Sequence, residues 1–537
     1  VTQPDTPRAD DSARFYLGII EMKKTLVATG IIVALGAVWT GGAWYTGKQI
    51  EKRLADIIAQ ANAGLAQDAS GAGLQIAWQN YQRGVFSSHL QIVAKPADGA
   101  ENNWLKPGQS VVLNETVYHG PFPLKKFSLI PAMAVVDSTL EKSDLSKQLF
   151  ALAKDKSPFE ITTRIGYSGA TSSDILLNPL SYESGDDKIA FSGGEFTLDA
   201  DKDGNALSLS GGAKDGLLNV VNEYGQKVQF TFNNLKADGE STLTSFDERI
   251  GSQKLTLDKL AVAIEGKELA VLDNMALDGK ADLSKDGKTI NSSLDYTLES
   301  LKLQGTDMGS GKLALKVNNI DGEGWHKFSQ QYNGQVQALL NQPEIMQNPE
   351  LYQQAVTDAF FNALPLVMKG EPVITIAPLS WKNAKGESTF NLNLALKDPT
   401  QAAPAQTIAG EVDSSVKSLD SKLTIPMEMA TELMTQVARI EGYQQADAAR
   451  LADQQVKGLA AMGQMFRITT VQDNSIQTSL QYANGQVTLN GQKMPLEQFV
   501  GMFGVPDLLT PAPVQPQTTP VVPQPAPTVP PMAPVQP

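Results

Sequence analysis

Residues Met22 to Tyr45 read MKKTLVATGIIVALGAVWTGGAWY, and no other stretch limits the fold as strongly. Lys23 and Lys24 precede an uncharged, mostly apolar run that ends in Trp39, Trp44 and Tyr45. That is the pattern of a single membrane-spanning helix with an aromatic belt at its far end. Thr25 to Tyr45 is 21 residues, roughly 31 Å of helix, enough for a hydrocarbon core of about 30 Å. Everything after it is then expected in one aqueous compartment, tethered to a bilayer. Ala37 and Gly41, and Ala43 and Gly47, have the small-xxx-small spacing of a candidate dimer seam.

A cleaved signal peptide is the rival. Leu26 to Val38 has the right length, and Gly41-Gly42-Ala43 offers small residues for cleavage. Against cleavage, Ile50, Leu54, Ile57 and Ile58 continue at helical spacing among Lys48, Lys52 and Arg53, so an uncleaved anchor is favoured. Those cations balance Lys23 and Lys24, and charge alone leaves the orientation open. Residues 1–21 carry four acidic groups and no apolar periodicity, and the chain opens on Val1, which points to Met22 as a translation start. The absence of cysteine excludes a disulfide framework, zinc-thiolate sites and a thiol nucleophile. A net charge of −14 with no basic stripe excludes nucleic-acid binding.

Period-two alternation organises the middle of the chain. Val228, Phe230 and Phe232 alternate with Gln229, Thr231 and Asn233; Leu313, Leu315 and Val317 alternate with Ala314 and Lys316. Leu294, Tyr296 and Leu298 continue the pattern, and Leu301 and Leu303 resume it one residue out of step, which suggests a bulge. Tight-turn pairs Asp203-Gly204, Asp286-Gly287 and Asn484-Gly485 separate such runs. Polar outer faces mean antiparallel strands with one face packed. The expected fold class is α+β. A transmembrane helix leads into a large body of long, curved antiparallel sheet with helices packed on it. Its segments are 1–21, an anchor at 22–47, a juxtamembrane helix at 48–66 and a β-rich region at 74–320. A helical region at 321–370 follows, then a mixed region at 371–505 and a Pro-rich disordered tail at 506–537. Helices at 325–368 should break near Pro343, Pro349 and Pro365. A long helix over 427–466, with Met429, Leu433, Val437 and Ile440 on one face, should lie on the sheet. The tail holds twelve prolines and no charge after Asp507, so it cannot form a core and reads as a spacer.

The chemistry-bearing motifs fail one by one. His89, His119 and His326 have no metal spacing. Asp199, Asp201, Asp203 and Gly204 imitate a calcium loop, but Ser210 stands where a bidentate Glu belongs. Gly309-Ser310-Gly311-Lys312 imitates a P-loop without its first glycine, which is Thr306, or its Ser/Thr, which is Leu313. Gly166-Tyr167-Ser168-Gly169-Ala170 lacks the last glycine of a nucleophile elbow. No catalytic residue, metal or cofactor is expected.

The segments WTGGAWYTGK (Trp39–Lys48), YQRGVFSS (Tyr81–Ser88), HGPFPL (His119–Leu124), FSGGEF (Phe191–Phe196), VITIAPLSWKN (Val373–Asn383) and SLQYANGQVTLNGQKM (Ser479–Met494) resemble the YdgA family of enterobacterial inner-membrane proteins. The resemblance runs from about Met22 to Phe503. It implies an inner-membrane anchor with a cytoplasmic N-terminus, a periplasmic body and self-association as a homodimer. It transfers no catalytic residue, because the family's function is unknown. The leading expectation is a non-catalytic scaffold or adaptor of the cell envelope with a protein partner. The alternative is a lipid-binding or lipid-transport protein, similar in outline to AsmA-like envelope proteins, with Val228, Phe230, Phe232, Leu313, Leu315 and Val317 as a candidate apolar trough. A carboxylate-based hydrolase of an envelope polymer is the third reading.

Overall fold

The structure, a computed structural model, describes residues 73–503 apart from 85–86, 98–104, 120–122, 124–129, 131, 186, 223, 341, 347 and 404, together with 55, 58–59 and 62–63. The expected anchor, its candidate dimer seam and the Pro-rich tail lie outside the described residues. No helix among the described residues is long and apolar enough to cross a membrane.

Twenty-two strands join in one sheet. The first six are β1 (Leu74–Arg83), β2 (Ser87–Pro96), β3 (Val111–His119), β4 (Ala134–Leu140), β5 (Phe159–Ile165) and β6 (Thr171–Leu177), with the short helix α1 (Lys147–Leu152) before β5. Each pairs antiparallel with the next. A hairpin, β7 (Leu180–Ser184) and β8 (Asp187–Phe191), then leaves the order, so β6 pairs with β9 (Gly194–Ala200). Strands β8 and β9 lie end to end along β10 (Ala206–Val221). From there the meander is unbroken through β11 (Lys227–Leu243), β12 (Arg249–Ile264), β13 (Lys267–Leu283), β14 (Thr289–Leu303) and β15 (Thr306–Asp321). These six strands have 15 to 17 residues each, about 50 Å at roughly 3.4 Å per residue. The turns explain the connections. Glu265-Gly266 and Gln304-Gly305 have positive φ at both positions (50° and 75°; 48° and 76°), the type I′ geometry that matches strand twist.

The helices gather after β15. Helices α2 (Gly322–Leu340), α3 (Pro343–Met346), α4 (Pro349–Ala363) and α5 (Pro365–Met368) each restart at a proline after the first, as expected of a residue tolerated only in the first turn. Phe328, Ala363 and Val367 from this group pack on Ile290 and Ile320. Strands β16 (Val373–Asn383) and β17 (Gly386–Leu396), helix α6 (Ile408–Ser415) and strand β18 (Val416–Pro426) extend the sheet. The expected long helix at 427–466 is instead a hairpin, α7 (Met427–Ile440) and α8 (Gln445–Met465). Gly442 has φ 101°, and Tyr443 N–H donates to Ala438 O while Gly442 N–H donates to Arg439 O. Those two bonds end a helix in a Schellman motif. The buried side of α7 is Met429, Thr435 and Ala438; Val437 is 41% exposed, unlike the expected face. Strands β19 (Thr470–Gln472), β20 (Ser475–Ala483), β21 (Gln486–Leu489) and β22 (Gln492–Pro495) and helix α9 (Leu496–Gly501) complete the order, β20 pairing with β18.

The main core lies on one face of β1–β6, where Ile92, Leu113, Val136, Ile161 and Ile165 are buried. Ile58 packs against it, and the Asn62 side chain bonds both N and O of Ile76 on edge strand β1. An amide there stands in for a further strand.

Candidate functional site: an open apolar groove

The face that forms the core of β1–β6 continues across the central strands. One row of cross-strand partners runs Leu90, Glu115, Ser138, Ile161, Ile175, Phe196, Gly211, Ala237, Leu255, Leu277, Tyr296 and Leu313. The adjacent row across β10–β15 is Leu209, Gly239, Gln253, Gly279, Leu294 and Leu315. Neither row carries a charge between β10 and β15. The opposite face of the same strands carries Asp238, Lys254, Asp278 and Asp295 in one row. This is the alternation of a sheet with one solvated face.

The apolar face has two fates. Over β1–β6 it is closed: Leu113 and Ile165 are each 1% exposed. Over β10–β13 it is open: Leu209 is 39% and Leu255 is 43% exposed. Among the described residues, helices cover only the far side. Met429 of α7 sits against Ser388 of β17 (Sδ to Oγ 3.0 Å), and Asn383 of β16 donates to Met429 O at 3.0 Å. The α2–α5 group packs where β14 begins and β15 ends. Between these covered regions lies a groove of about 850 Å3, lined by Leu207, Leu255, Leu277, Leu294 and Leu315 among others.

A polar line marks one border of the groove. The cross-strand pairing of β10–β14 skips Lys214, Asn234, Asp258, Asn274 and Glu299, which lie at one level across the five strands. Asn234 and Asn274 adopt left-handed φ (53° and 51°). Asn234 donates to Asp258 at 2.7 Å, and Asn274 donates to Glu299. On either side the apolar residues change parity in every strand, from Phe232 to Leu235, Leu260 to Leu257, Leu272 to Met275 and Leu301 to Leu298. One extra residue per strand at one level bends the whole sheet without breaking register.

This places the six trough candidates in two groups. Val228, Phe230 and Phe232 of β11 pair with Ile264, Val262 and Leu260 on one side of the polar line. Leu313, Leu315 and Val317 of β15 lie on the other, paired with Tyr296, Leu294 and Ser292. Of the six, Leu315 lines the groove; Leu207, Gly239, Gln253 and Leu255 are residues the sequence did not single out.

The remaining motifs are structural. Asp201 accepts from Asp203 N–H and Asn205 N–H in the β9–β10 turn. Gly309 to Lys312 are within β15, and Ser168 is in the β5–β6 turn. His119 Nε2 bonds Ser88 Oγ at 2.9 Å, but Ser88 is 0% exposed and cannot meet a substrate. His326 Nδ1 faces Glu248 at 2.9 Å on the far side of the fold's sequence from His89, whose Nδ1 bonds Thr116. Among the described residues no group of three His, Cys, Asp or Glu could hold a metal. Glu115 is buried among Leu90, Leu113 and Val117, and burial pushes its carboxyl from 4.5 up to about 7 against the hydrogen bond from Ser138. Asp137, which adds to the rise, pairs with Thr116 and so belongs to the opposite face. The two are not a catalytic dyad across a cleft.

A family model described as "Bacterial protein of unknown function (DUF945)" matches residues 22–497. The chain is 65% identical over 502 residues to Protein YdgA of Escherichia coli strain K12, covering 92% of this chain and all of that protein. It is 31% identical over 484 residues to the uncharacterized protein YihF of the same strain, covering 89% and 98%. An uncharacterized protein of Haemophilus influenzae is 24% identical over 315 residues, covering 56% and 83%. No solved structure matches.

Proposed function

We propose, from the premise that the chain belongs to the DUF945 family, which includes YdgA, that it is a non-catalytic envelope protein holding acyl chains of membrane lipid in the groove of its central sheet. The observation that carries this is the pair of charge-free, partly open rows over β10–β13, with Arg249 only at the groove's end, in a chain that covers the same face elsewhere. Fully burying a leucine stabilises by about 1.5–3 kcal/mol, and Leu209 and Leu255 keep 39% and 43% of their surface exposed, so covering the remainder favours an apolar occupant. The expected anchor at 25–45 would keep the body beside a bilayer, where lipid is the abundant apolar molecule. Five strand spacings of about 4.8 Å give roughly 24 Å across β10–β15, more than the ~15 Å that half a hydrocarbon core occupies. An inner-membrane tether with the body in the periplasm belongs to this proposal.

The test is native mass spectrometry with lipid extraction on the full-length chain and on Leu255→Lys. Phospholipid co-purifying with the wild type and absent from a still-folded Leu255→Lys supports lipid carriage. A lipid-free wild type defeats it. A scaffold or adaptor role, with or without self-association, is the second reading. Its support is the exposed apolar end of α8, where Leu459 is 54%, Met462 52% and Met465 69% exposed. Surfaces of that kind mark partner sites.

A further inference from the structure

The groove floor is not uniformly apolar: Arg249 and Ser292 line its end, and Gln253 and Ser241 lie within it. Gln253 of β12 sits between two glycines, Gly239 on β11 and Gly279 on β13. Its side chain lies across Gly279: a Cβ there would be 3.1 Å from both Cγ and Nε2 of Gln253. In the next row Ser241 of β11 pairs with Gly251 of β12, which makes Ser241 a diagonal neighbour of Gln253 on the same face. Neither side chain hydrogen-bonds any described residue, and both line the groove with Leu255, Leu277 and Leu294. Gly239, Gly251, Gly279 and Ala281 leave a hollow around this amide and hydroxyl. Glycine inside a strand weakens it, and is placed where another group approaches the backbone closely.

We infer that Gln253 and Ser241 form a polar subsite for the carbonyl of an acyl ester, so that the ligand is an ester-linked lipid positioned by its linkage and not a bare hydrocarbon. This rests on the groove being a lipid site, as proposed above. Gln253 Nε2–H and Ser241 Oγ–H donate, and an ester carbonyl accepts from either or both. The hollow admits the glycerol end, which is wider than a single chain. The chains then run across Leu255, Leu277, Leu294 and Leu315. Gln253 is exposed, so water meets its amide until a ligand covers the groove, and an ester carbonyl would then take the place of that water where a bare alkyl chain would not.

The test compares two probes that differ in one respect. The full-length chain is incubated with an equimolar mixture of dioleoyl phosphatidylglycerol and its dioleyl ether analogue, which lacks both carbonyls, and adducts are counted by native mass spectrometry. The wild type is expected to favour the diester about two- to tenfold, the worth of one net hydrogen bond. Gln253→Leu, which keeps the groove apolar, is expected to lose most of the ester preference and to retain the ether lipid. Ser241→Ala reduces the preference in part. Equal binding of ester and ether lipid by the wild type overturns the subsite and leaves the groove intact as a lipid site. Binding of neither lipid overturns the groove, and the subsite with it. An unchanged ester preference in Gln253→Leu also refutes the role of that residue.

Discussion

Glu115→Gln should stabilise the protein at neutral and alkaline pH and do nothing at pH 4. Glu115 is 3% exposed on β3, and Ser138 Oγ–H donates to its Oε2. Burial raises its carboxyl from 4.5 to about 7, Ser138 opposes that rise and Asp137 adds to it. Below pH 4.5 the group is protonated in folded and unfolded chain alike, and its contribution to stability is fully present. Between 4.5 and about 7 the unfolded chain ionises while the folded chain holds its proton, so stability falls as pH rises. Above about 7 the loss is complete and the curve flattens. At ~1.4 kcal/mol per pH interval of one, the interval from 4.5 to about 7 is worth at most about 3 kcal/mol. Glutamine keeps an oxygen to accept from Ser138 and never ionises. Its gain should therefore approach about 3 kcal/mol at pH 8 and vanish at pH 4. Amide hydrogen exchange of β3 and β4 peptides at pH 5, 6.5 and 8, corrected for intrinsic rates, reads this locally. A wild type whose opening free energy is flat over that range, or a Glu115→Gln no better protected at pH 8, would falsify the assignment.

The two fates of the apolar face give further expectations. Leu113→Ala, at a position 1% exposed, should cost about 2–5 kcal/mol, whereas Leu255→Ala, at 43% exposed, should stay within about 1 kcal/mol; urea midpoints of the two variants separate them. Gly212→Val should disrupt the β10–β11 pairing, because a Cβ there would lie 2.2 Å from the backbone O of Leu235; loss of exchange protection in both strands, with about 1–3 kcal/mol of destabilisation, is the expected result. Leu255→Lys should lose co-purifying lipid at unchanged thermal midpoint, since its ammonium can reach solvent until a lipid covers it.

Strands were legible because alternation is local. The bulge between Leu298 and Leu301 was readable from one strand's change of step, and the pairing there does shift. That the four preceding strands share the same level was not readable, because level depends on registers set by four separate turns. The break in the 427–466 helix had a signal, Gly442 followed by Tyr443, outweighed by the helix-forming residues on either side. Strand β18 also had one, with Leu419, Leu423 and Ile425 alternating against charged partners. Alternation tells that a strand has an apolar face and nothing of what covers it. So the groove could be named as an alternative from Phe230 and Leu315, but not located.

The decisive contrast is between the ends of one row. From Leu90 to Ile161 the row is sealed, Glu115 and Ser138 included, and at Leu255 it is 43% exposed. The chain does not lack material to close it: α7 and α8 contribute 14 and 21 residues, but α7 lies over β15–β18 and α8 packs on α7 and β19. The open floor also carries Gly239 and Gly279, which keep it hollow, whereas Gly251 is demanded by the backbone, since a Cβ there would lie 1.9 Å from Glu240 O. Cross-strand hydrogen bonds on both sides of each central strand hold that floor in shape without an occupant, so a ligand meets a preformed surface and loses little affinity to ordering the protein. Such a design has a measurable consequence. A ligand that binds only the folded chain stabilises it by RT ln(1 + [L]/Kd), about 3 kcal/mol at a hundredfold excess over Kd. That gain should appear as slowed exchange in β10–β13 on adding phospholipid, with β1–β6, already sealed, changing little. Uniform protection along the whole row would instead mean that lipid acts on the protein from outside the groove.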